Sequence, residues 1–227
     1  MRGYYVGKLS GERLRQCYDL AHPRLSQYLE AEIQFVLQQL ESSDTVLELG
    51  CGYGRVTARL TEVARRVVGI DNAPASIELA CRLFSANSRC EFYEMDALDL
   101  VFAESEFDKV VCVQNGISAF GIDREALFRQ ALRVVQPGGR LFFSTYSTGF
   151  WEERLRWFEA QSAAGLVGAI DYAKTGNGEI VCVDGFHTGQ VSPDEFESFC
   201  ARLGLKAEVS EVNGSSVFCT IEVPEVA

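Results

Sequence analysis

Between residues 44 and 147 short apolar runs and longer amphipathic runs take turns, and this alternation restricts the possible folds more than any other property of the chain. "TVLELG" (45–50) is a β-rich run that ends at glycine, and "YGRVTARLTEVARR" (53–66) follows with Val56, Leu60 and Val63 at helical spacing. The strand signal returns in "VVGID" (67–71), "CEFYEMD" (90–96), "KVVCVQN" (109–115) and "RLFFSTYS" (140–147). The helical signal returns in "PASIELACRLFSA" (74–86), with Pro74 at a permitted first-turn position, and in "DREALFRQALRVV" (123–135), which "QPGG" (136–139) ends. "KVVCVQN" is nearly all apolar, as expected of a strand buried on both faces. Strands alternating with helices of about a dozen residues predict an α/β fold whose parallel sheet is covered on both sides.

The chain changes character on either side of this stretch. Residues 1–40 read as helical, above all "HPRLSQYLEAEIQFVLQQL", where His22 before Pro23 marks a helix entry. Residues 148–191 carry an aromatic helix, "GFWEERLRWFEAQS", and then strand-like runs around the turn signal "TGNGE". In "SPDEFESFCARLG" (192–204) Ser192 is an N-cap, Pro193 the first helical residue and Glu195 the far side of a capping box. "LKAEVSEVN" and "VFCTIEV", joined across "GSS", read as an antiparallel hairpin. With no repeat and no long linker, a single domain is expected over 1–227: a helical cap (1–40), a ligand-binding core (41–147), an inserted segment (148–191) and a terminal helix with hairpin (192–227).

Charge narrows the partners. Lys and Arg number 21 against 32 Asp and Glu, a formal net charge of -11, and the basic residues are scattered. Such a surface repels phosphate backbones, so no nucleic-acid partner is expected. No apolar stretch approaches the roughly 20 residues of a membrane span, and the N-terminus lacks the apolar centre of a secretion signal. A cytoplasmic protein without a membrane partner is the expectation, and no oligomeric state is implied. The eight cysteines form no C-x-x-C pair or zinc-like cluster, so no metal is expected and most read as buried thiols.

"VLELGCGYGRV" (46–56) holds the chemistry. Glu48 precedes Gly50, Gly52 and Gly54 at the end of the first strand, at the edge where open α/β sheets bind ligands. A dinucleotide fingerprint counted from Gly50 requires glycine at 55, where this chain has arginine, and no Gly-Lys-Ser/Thr triplet supplies a phosphate loop. Cys51, inside the loop, is the cysteine best placed to approach a ligand.

This acid-x-Gly-x-Gly-x-Gly pattern resembles motif I of the class I S-adenosylmethionine-dependent methyltransferases, and ordered segments as far as residue 147 resemble the family's later motifs. The resemblance implies a Rossmann-like, doubly wound, mostly parallel seven-stranded sheet with an antiparallel terminal hairpin, an N-terminal helical cap and an inserted lid. It also implies S-adenosylmethionine as cofactor. In the family, the acid ending the second strand takes the ribose hydroxyls, which is the place of Asp71, beside Asn72. The acid ending the third strand takes the adenine amino group, which is the place of Asp96, with Ala97 lending backbone to the ring. Gln114, after the fourth strand, and Tyr18, with Tyr4 and Tyr5 in the cap, are further expected cofactor neighbours.

Methyl transfer needs alignment and desolvation, and a base only if the acceptor must lose a proton. "QNGISAFG" (114–121) should face the methyl group; Asn115 there loosely resembles the Gly-Asn-Ser-Phe stretch of glycine N-methyltransferases. The segment lacks the Asn/Asp-Pro-Pro-Tyr/Phe motif of enzymes acting on amides or bases, so a small-molecule acceptor at N, O or S is expected. Residues 148–191 would form the lid, with Phe150, Trp151, Trp157, Phe158 and Tyr172 lining or supporting it. His187 in "DGFHTG" is the candidate base, and Asp184 could hold it or a cationic acceptor. The competing readings are a non-catalytic S-adenosylmethionine-binding protein and, against Arg55 and Glu48, a nicotinamide-dependent oxidoreductase.

Overall fold

Three helices lead into the first strand in the computed structural model, which describes residues 3–121 and 123–225: α1 (Tyr4–Lys8), α2 (Glu12–Asp19) and α3 (Pro23–Leu37). The first two residues of the expected cap and the last two of the terminal segment lie outside the described residues. Pro23 sits in the first turn of α3, and His22 caps it by accepting the Leu25 N–H at 3.3 Å. The core runs β1 (Thr45–Leu49), α4 (Arg55–Leu60), β2 (Arg66–Asp71), α5 (Pro74–Leu83), β3 (Cys90–Glu94), β4 (Phe107–Cys112), α6 (Gly116–Ala119), α7 (Arg124–Val134) and β5 (Val135–Tyr146). After it come α8 (Trp151–Ala163), β6 (Ile180–Val181), β7 (His187–Thr188), α9 (Pro193–Arg202), β8 (Ala207–Val212) and β9 (Ser216–Glu222).

The main sheet has seven strands in the order β3-β2-β1-β4-β5-β9-β8. Strands β1 to β5 pair in parallel, while β9 runs antiparallel to β5 and β8 antiparallel to β9. The chain winds outward from β1 to β3 and then returns to place β4 on the other side of β1. The strand order reverses there, and a crevice opens at the carboxyl ends of β1 and β4. The predicted α/β sheet and terminal hairpin are present, and α9 starts with the complete Ser192–Glu195 capping box.

Three boundaries differ from the sequence pattern. The helix expected over 53–66 stops at Leu60, because Thr61 bonds back to Ala58 O at 2.6 Å and Arg65 N–H already reaches Asp44 O. The strand expected over 109–115 ends at Cys112, since Gln114 and Asn115 take left-handed φ values of 58° and 63°. "QPGG" does not separate α7 from β5 but bulges within β5, between the pairs Phe107–Val135 and Lys109–Arg140. Gly138, at φ 75°, is part of that bulge, and its N–H donates to Val223 O at 2.9 Å.

Each sheet face has its own apolar core. One contains Phe107, Phe128, Phe143 and Phe196; the other contains Ile33, Val36, Phe142 and Phe218. A third cluster joins the N-terminal helices to the 148–191 segment through Leu25, Tyr28, Tyr146, Phe150, Trp157, Phe158 and Phe186. Burying each such ring contributes roughly 1.5–3 kcal/mol, so these two distant segments form one packed body. Polar ties reinforce it: Trp157 Nε1 donates to Cys17 O at 2.8 Å, and Arg13 donates to Gly165 O at 2.8 Å.

Candidate active site

The loop after β1 is shaped by three left-handed glycines, Gly50 (φ 74°), Gly52 (φ 54°) and Gly54 (φ 84°). Cys51 N–H is tied to Ile70 O at 2.8 Å, which holds the loop against the end of β2. A side chain on Gly52 would bring Cβ to 2.9 Å from Leu14 of α2, and one on Gly50 would overlap the ring of Phe120. These two glycines keep a cradle open beneath the N-terminal helices. Gly54 serves a different purpose: its Cβ would strike the Phe92 ring at 2.7 Å, and the residue is absent from the cavity wall. Its expected place at the ligand is therefore corrected to packing of α4 on β3.

Above this cradle lies a cavity of about 350 Å³. Glu48, Gly50, Cys51, Gly52, Asp71, Asn72, Asp96, Ala97 and Gln114 line it from the sheet side. Tyr4, Tyr5, Leu14 and Tyr18 close it from the N-terminal helices, and Gly185 and His187 from the inserted segment. The structure thus gathers most of the sequence-derived set around one space. Ser118 and Phe120 reach it from the 114–121 segment expected there, whereas Tyr53, Arg55 and Ser76 also reach it without having been singled out as ligand neighbours. Of these, Arg55 had a signal, a lone base following a glycine loop flanked by acids.

The acids differ in state. Asp71 Oδ2 accepts Gly52 N–H at 3.0 Å and Oδ1 accepts Ala73 N–H at 2.8 Å. Burial pushes its carboxyl above the ordinary aspartate value, and the two N–H donors pull it back. Each oxygen retains a lone pair for a hydroxyl donor. Glu48 is only 4% exposed and accepts the Thr57 hydroxyl. Burial pushes it up to about 7, opposed by Thr57 and the Arg55 charge. Asp96 is exposed and accepts Leu98 N–H at 2.9 Å, fixing the turn that also presents Ala97.

Gln114 bridges inner and outer elements. Its N–H donates to Glu32 Oε2 at 2.7 Å and to Ser144 Oγ at 2.9 Å, while its side-chain oxygen accepts from Arg55. The Arg55 guanidinium lies 4.7 Å from the centre of the Tyr18 ring. Asn115, expected to face the methyl group, lies outside the cavity wall with its amide fully engaged. It donates to Thr188 Oγ1 at 3.2 Å and Gly189 O at 3.0 Å and accepts from Thr145 Oγ1 at 2.8 Å. A side chain so occupied ties β7 to β5.

In the inserted segment, Phe150, Trp157 and Phe158 are buried in the shared core, and Trp151 packs against it. They support the cavity without lining it. Tyr172 does neither: it is 65% exposed and donates to Glu159. Asp184 does not hold His187; it accepts the Tyr4 hydroxyl and lies 3.6 Å from Lys8 Nζ.

A glycine cradle at the sheet's switch point, with an acid ending β2 and another following β3, defines a class I methyltransferase site. The comparisons agree. A family model described as a methyltransferase domain matches residues 46–139. A ubiquinone biosynthesis O-methyltransferase from Hydrogenovibrio crunogenus is 30% identical over 179 residues, covering 76% of this chain and 67% of that protein. A demethylmenaquinone methyltransferase from Clavibacter sepedonicus is 32% identical over 107 residues, 47% of this chain and 43% of that protein. The matched stretch therefore spans under half of that second relative. A Pyrococcus horikoshii OT3 protein shares the fold with a TM-score of 0.66 at 21% identity, over 90% of this chain and 93% of that one. An N-methyltransferase from Bradyrhizobium japonicum WM9, solved with S-adenosyl-L-homocysteine, has a TM-score of 0.54 at 20% identity, over 94% and 87%. This chain belongs to the class I S-adenosylmethionine-dependent methyltransferases, whose cofactor it shares. The cradle suits that cofactor, because a Cβ at Gly50 or Gly52 would fill it and because Asp71 is an acceptor set for a diol.

Proposed function

We propose that this protein transfers a methyl group from S-adenosylmethionine to a hydroxyl oxygen of a small, largely apolar molecule, with His187 as the base. The observation that carries this reading is the composition of this cavity: cofactor-type acids and glycines on one side, and Tyr4, Tyr5 and Tyr18 with His187 on the other. In this reading the residues that line the wall divide the cofactor among them. Asp71 takes the ribose diol, with Asn72 beside it; Asp96 and Ala97 take the adenine edge; Glu48 adds negative charge for the cationic end. S-adenosylmethionine supplies the activated methyl group when bound.

The protein's own part is to bury the reactants, align them and receive a proton. With the cofactor supplying an activated methyl for the acceptor oxygen, the hydroxyl proton displaced from that oxygen would pass to the His187 imidazole. A phenolic hydroxyl titrates near pH ~10, so at neutral pH a positioned base contributes roughly 10²–10⁴-fold. Asn115 acts here as a positioning residue, because it anchors Thr188 and Gly189 next to His187. Relatives whose names specify O-methylation, including a 27-O-demethylrifamycin SV methyltransferase 28% identical over 176 residues, support an oxygen acceptor.

The test is a panel of phenols, hydroquinones, amines and thiols incubated with methyl-labelled S-adenosylmethionine. Label should appear in hydroxyl compounds, and His187→Ala should lower that rate with partial recovery at high pH. Transfer to amines or thiols alone would displace the oxygen reading. Tight S-adenosylhomocysteine binding without turnover on any class would favour a non-catalytic binding protein.

A further inference from the structure

Arg55 begins α4 and forms part of the cavity wall. It is the one Lys or Arg among the described residues of that wall, which otherwise carries the acids Glu48, Asp71 and Asp96. Its neighbours on α4 and β2 behave as arginines ordinarily do: Arg59 pairs with Glu30 at 2.9 Å, and Arg66 pairs with Glu91 at 2.6 Å. Arg55 forms no ion pair within 4.0 Å among the described residues. One terminal nitrogen donates to the Gln114 amide oxygen, and the face of the guanidinium rests on Tyr18. Its Nε is buried and has no partner. A buried charged donor left unpaired is costly, and this one belongs to a residue of the cavity wall, where a ligand can complete it.

S-adenosylmethionine and its demethylated product carry one anionic group, the carboxylate of the amino-acid tail. The wall offers one cation with an unspent donor. We propose that Arg55 is the seat of that carboxylate, with Tyr18 of α2 stacked on the guanidinium to hold the fork in plane. The assignment rests on the methyltransferase reading above. A guanidinium suits the task because it binds a carboxylate with directed N–H donors while its flat face stays free to stack. It also links cofactor occupancy to the N-terminal helices, since Tyr18 touches both Arg55 and Trp157 of the inserted segment.

Calorimetry with two probes tests it: S-adenosylhomocysteine and its decarboxylated amine, which keeps adenosine and the thioether. In the wild-type protein the carboxylate should improve affinity by roughly ten- to a hundredfold, the value of a hydrogen bond to a charged group. Arg55→Gln should collapse that ratio to within about threefold by weakening S-adenosylhomocysteine while leaving the amine unchanged. Arg55→Lys, which keeps the charge but loses the fork and the stack, should fall between. A wild-type ratio near one overturns the proposal without any variant having to fold. So does an Arg55→Gln protein that keeps the full ratio or weakens both ligands equally. If neither probe binds the wild type, the family reading fails rather than this assignment.

Discussion

The two walls of the cavity are built by opposite means. The sheet-side wall is made of loops that follow directly on β1, β2, β3 and β4, each residue placed by the strand before it. The outer wall is made of Tyr4, Tyr5, Tyr18, Gly185 and His187, brought together from the two ends of a stretch of more than 180 residues. The first wall is shaped by backbone constraint, above all left-handed glycines. The second is held by a buried cation and aromatic packing. The lesson is that the sheet-side wall is specified locally and the outer wall by tertiary contacts alone, so substitutions in the two should fail in different ways.

The sharpest test of the local half is Gly52→Val. At φ 54° a β-branched residue is strained, and its Cβ would press on Leu14 at 2.9 Å. S-adenosylhomocysteine affinity should fall by about a thousandfold or more, with the sheet intact by circular dichroism. Normal binding would remove the loop from the site and with it the contrast between the walls.

The outer wall should answer differently to Arg154→Met. Arg154 is fully buried, stacks 4.4 Å from the Tyr146 ring centre and donates to Gly178 O, Thr188 O and Gly189 O at 2.8–3.0 Å. Removing it orphans backbone carbonyls and should destabilise the protein by about 3 kcal/mol, at roughly 1–3 kcal/mol for a buried group left unsatisfied. Denaturant titration measures that loss, and methyl transfer should fall more than cofactor affinity. An equal fall in both would show that the walls are not separable.

Asp71→Ala is a smaller, purely local change. It removes the acceptor of Gly52 N–H and Ala73 N–H and the proposed diol partner, so cofactor binding should weaken by roughly 1–3 kcal/mol. Unchanged affinity in a folded variant would reassign the diol.

What the sequence showed follows the same division. The sheet, the capping box of α9, and the positions of Glu48, Asp71 and Asp96 were legible because strand, turn and cap signals act over a few residues. Gly54 misled, since a glycine that spares a ligand and one that spares Phe92 look alike. Asn115 misled because its partners, Thr145, Thr188 and Gly189, lie 30 to 74 residues away. Arg154 and Glu32 carry no local sequence signal that sets them apart, yet both have no exposed surface. Only the closing of α8 over the insertion, and of α3 over β4, reveals them.

The least effect is in pH, and it differs in sign between the acids buried beside the sheet and the acid that holds Tyr4. Burial pushes Glu32 and Glu48 up to about 7, with Ser144 and Gln114 N–H opposing it at Glu32 and Thr57 opposing it at Glu48. An unfolded glutamate titrates near ~4.3, so between there and about 7 the native state holds more protons than the unfolded state. Their contribution to stability therefore declines as pH rises through that window and is level above it. Asp184, which lies behind the outer wall and accepts the Tyr4 hydroxyl, goes the other way. Partial burial would raise it, but the Tyr4 hydroxyl, Phe186 N–H and Lys8 outweigh this and hold it below the usual aspartate value. Its stabilisation is complete above the unfolded aspartate value of about 3.9 and is lost as pH falls through its lowered native value. Melting temperatures of the cofactor-free protein from pH 3.5 to 8 read both. Glu32→Gln should gain on the wild type progressively between pH 5 and 7.5, whereas Asp184→Asn should lose to it at neutral pH and converge with it below pH 4. A Glu32→Gln difference that stays constant with pH would mean that this buried acid does not titrate in the window, and the contrast in sign with Asp184 would disappear.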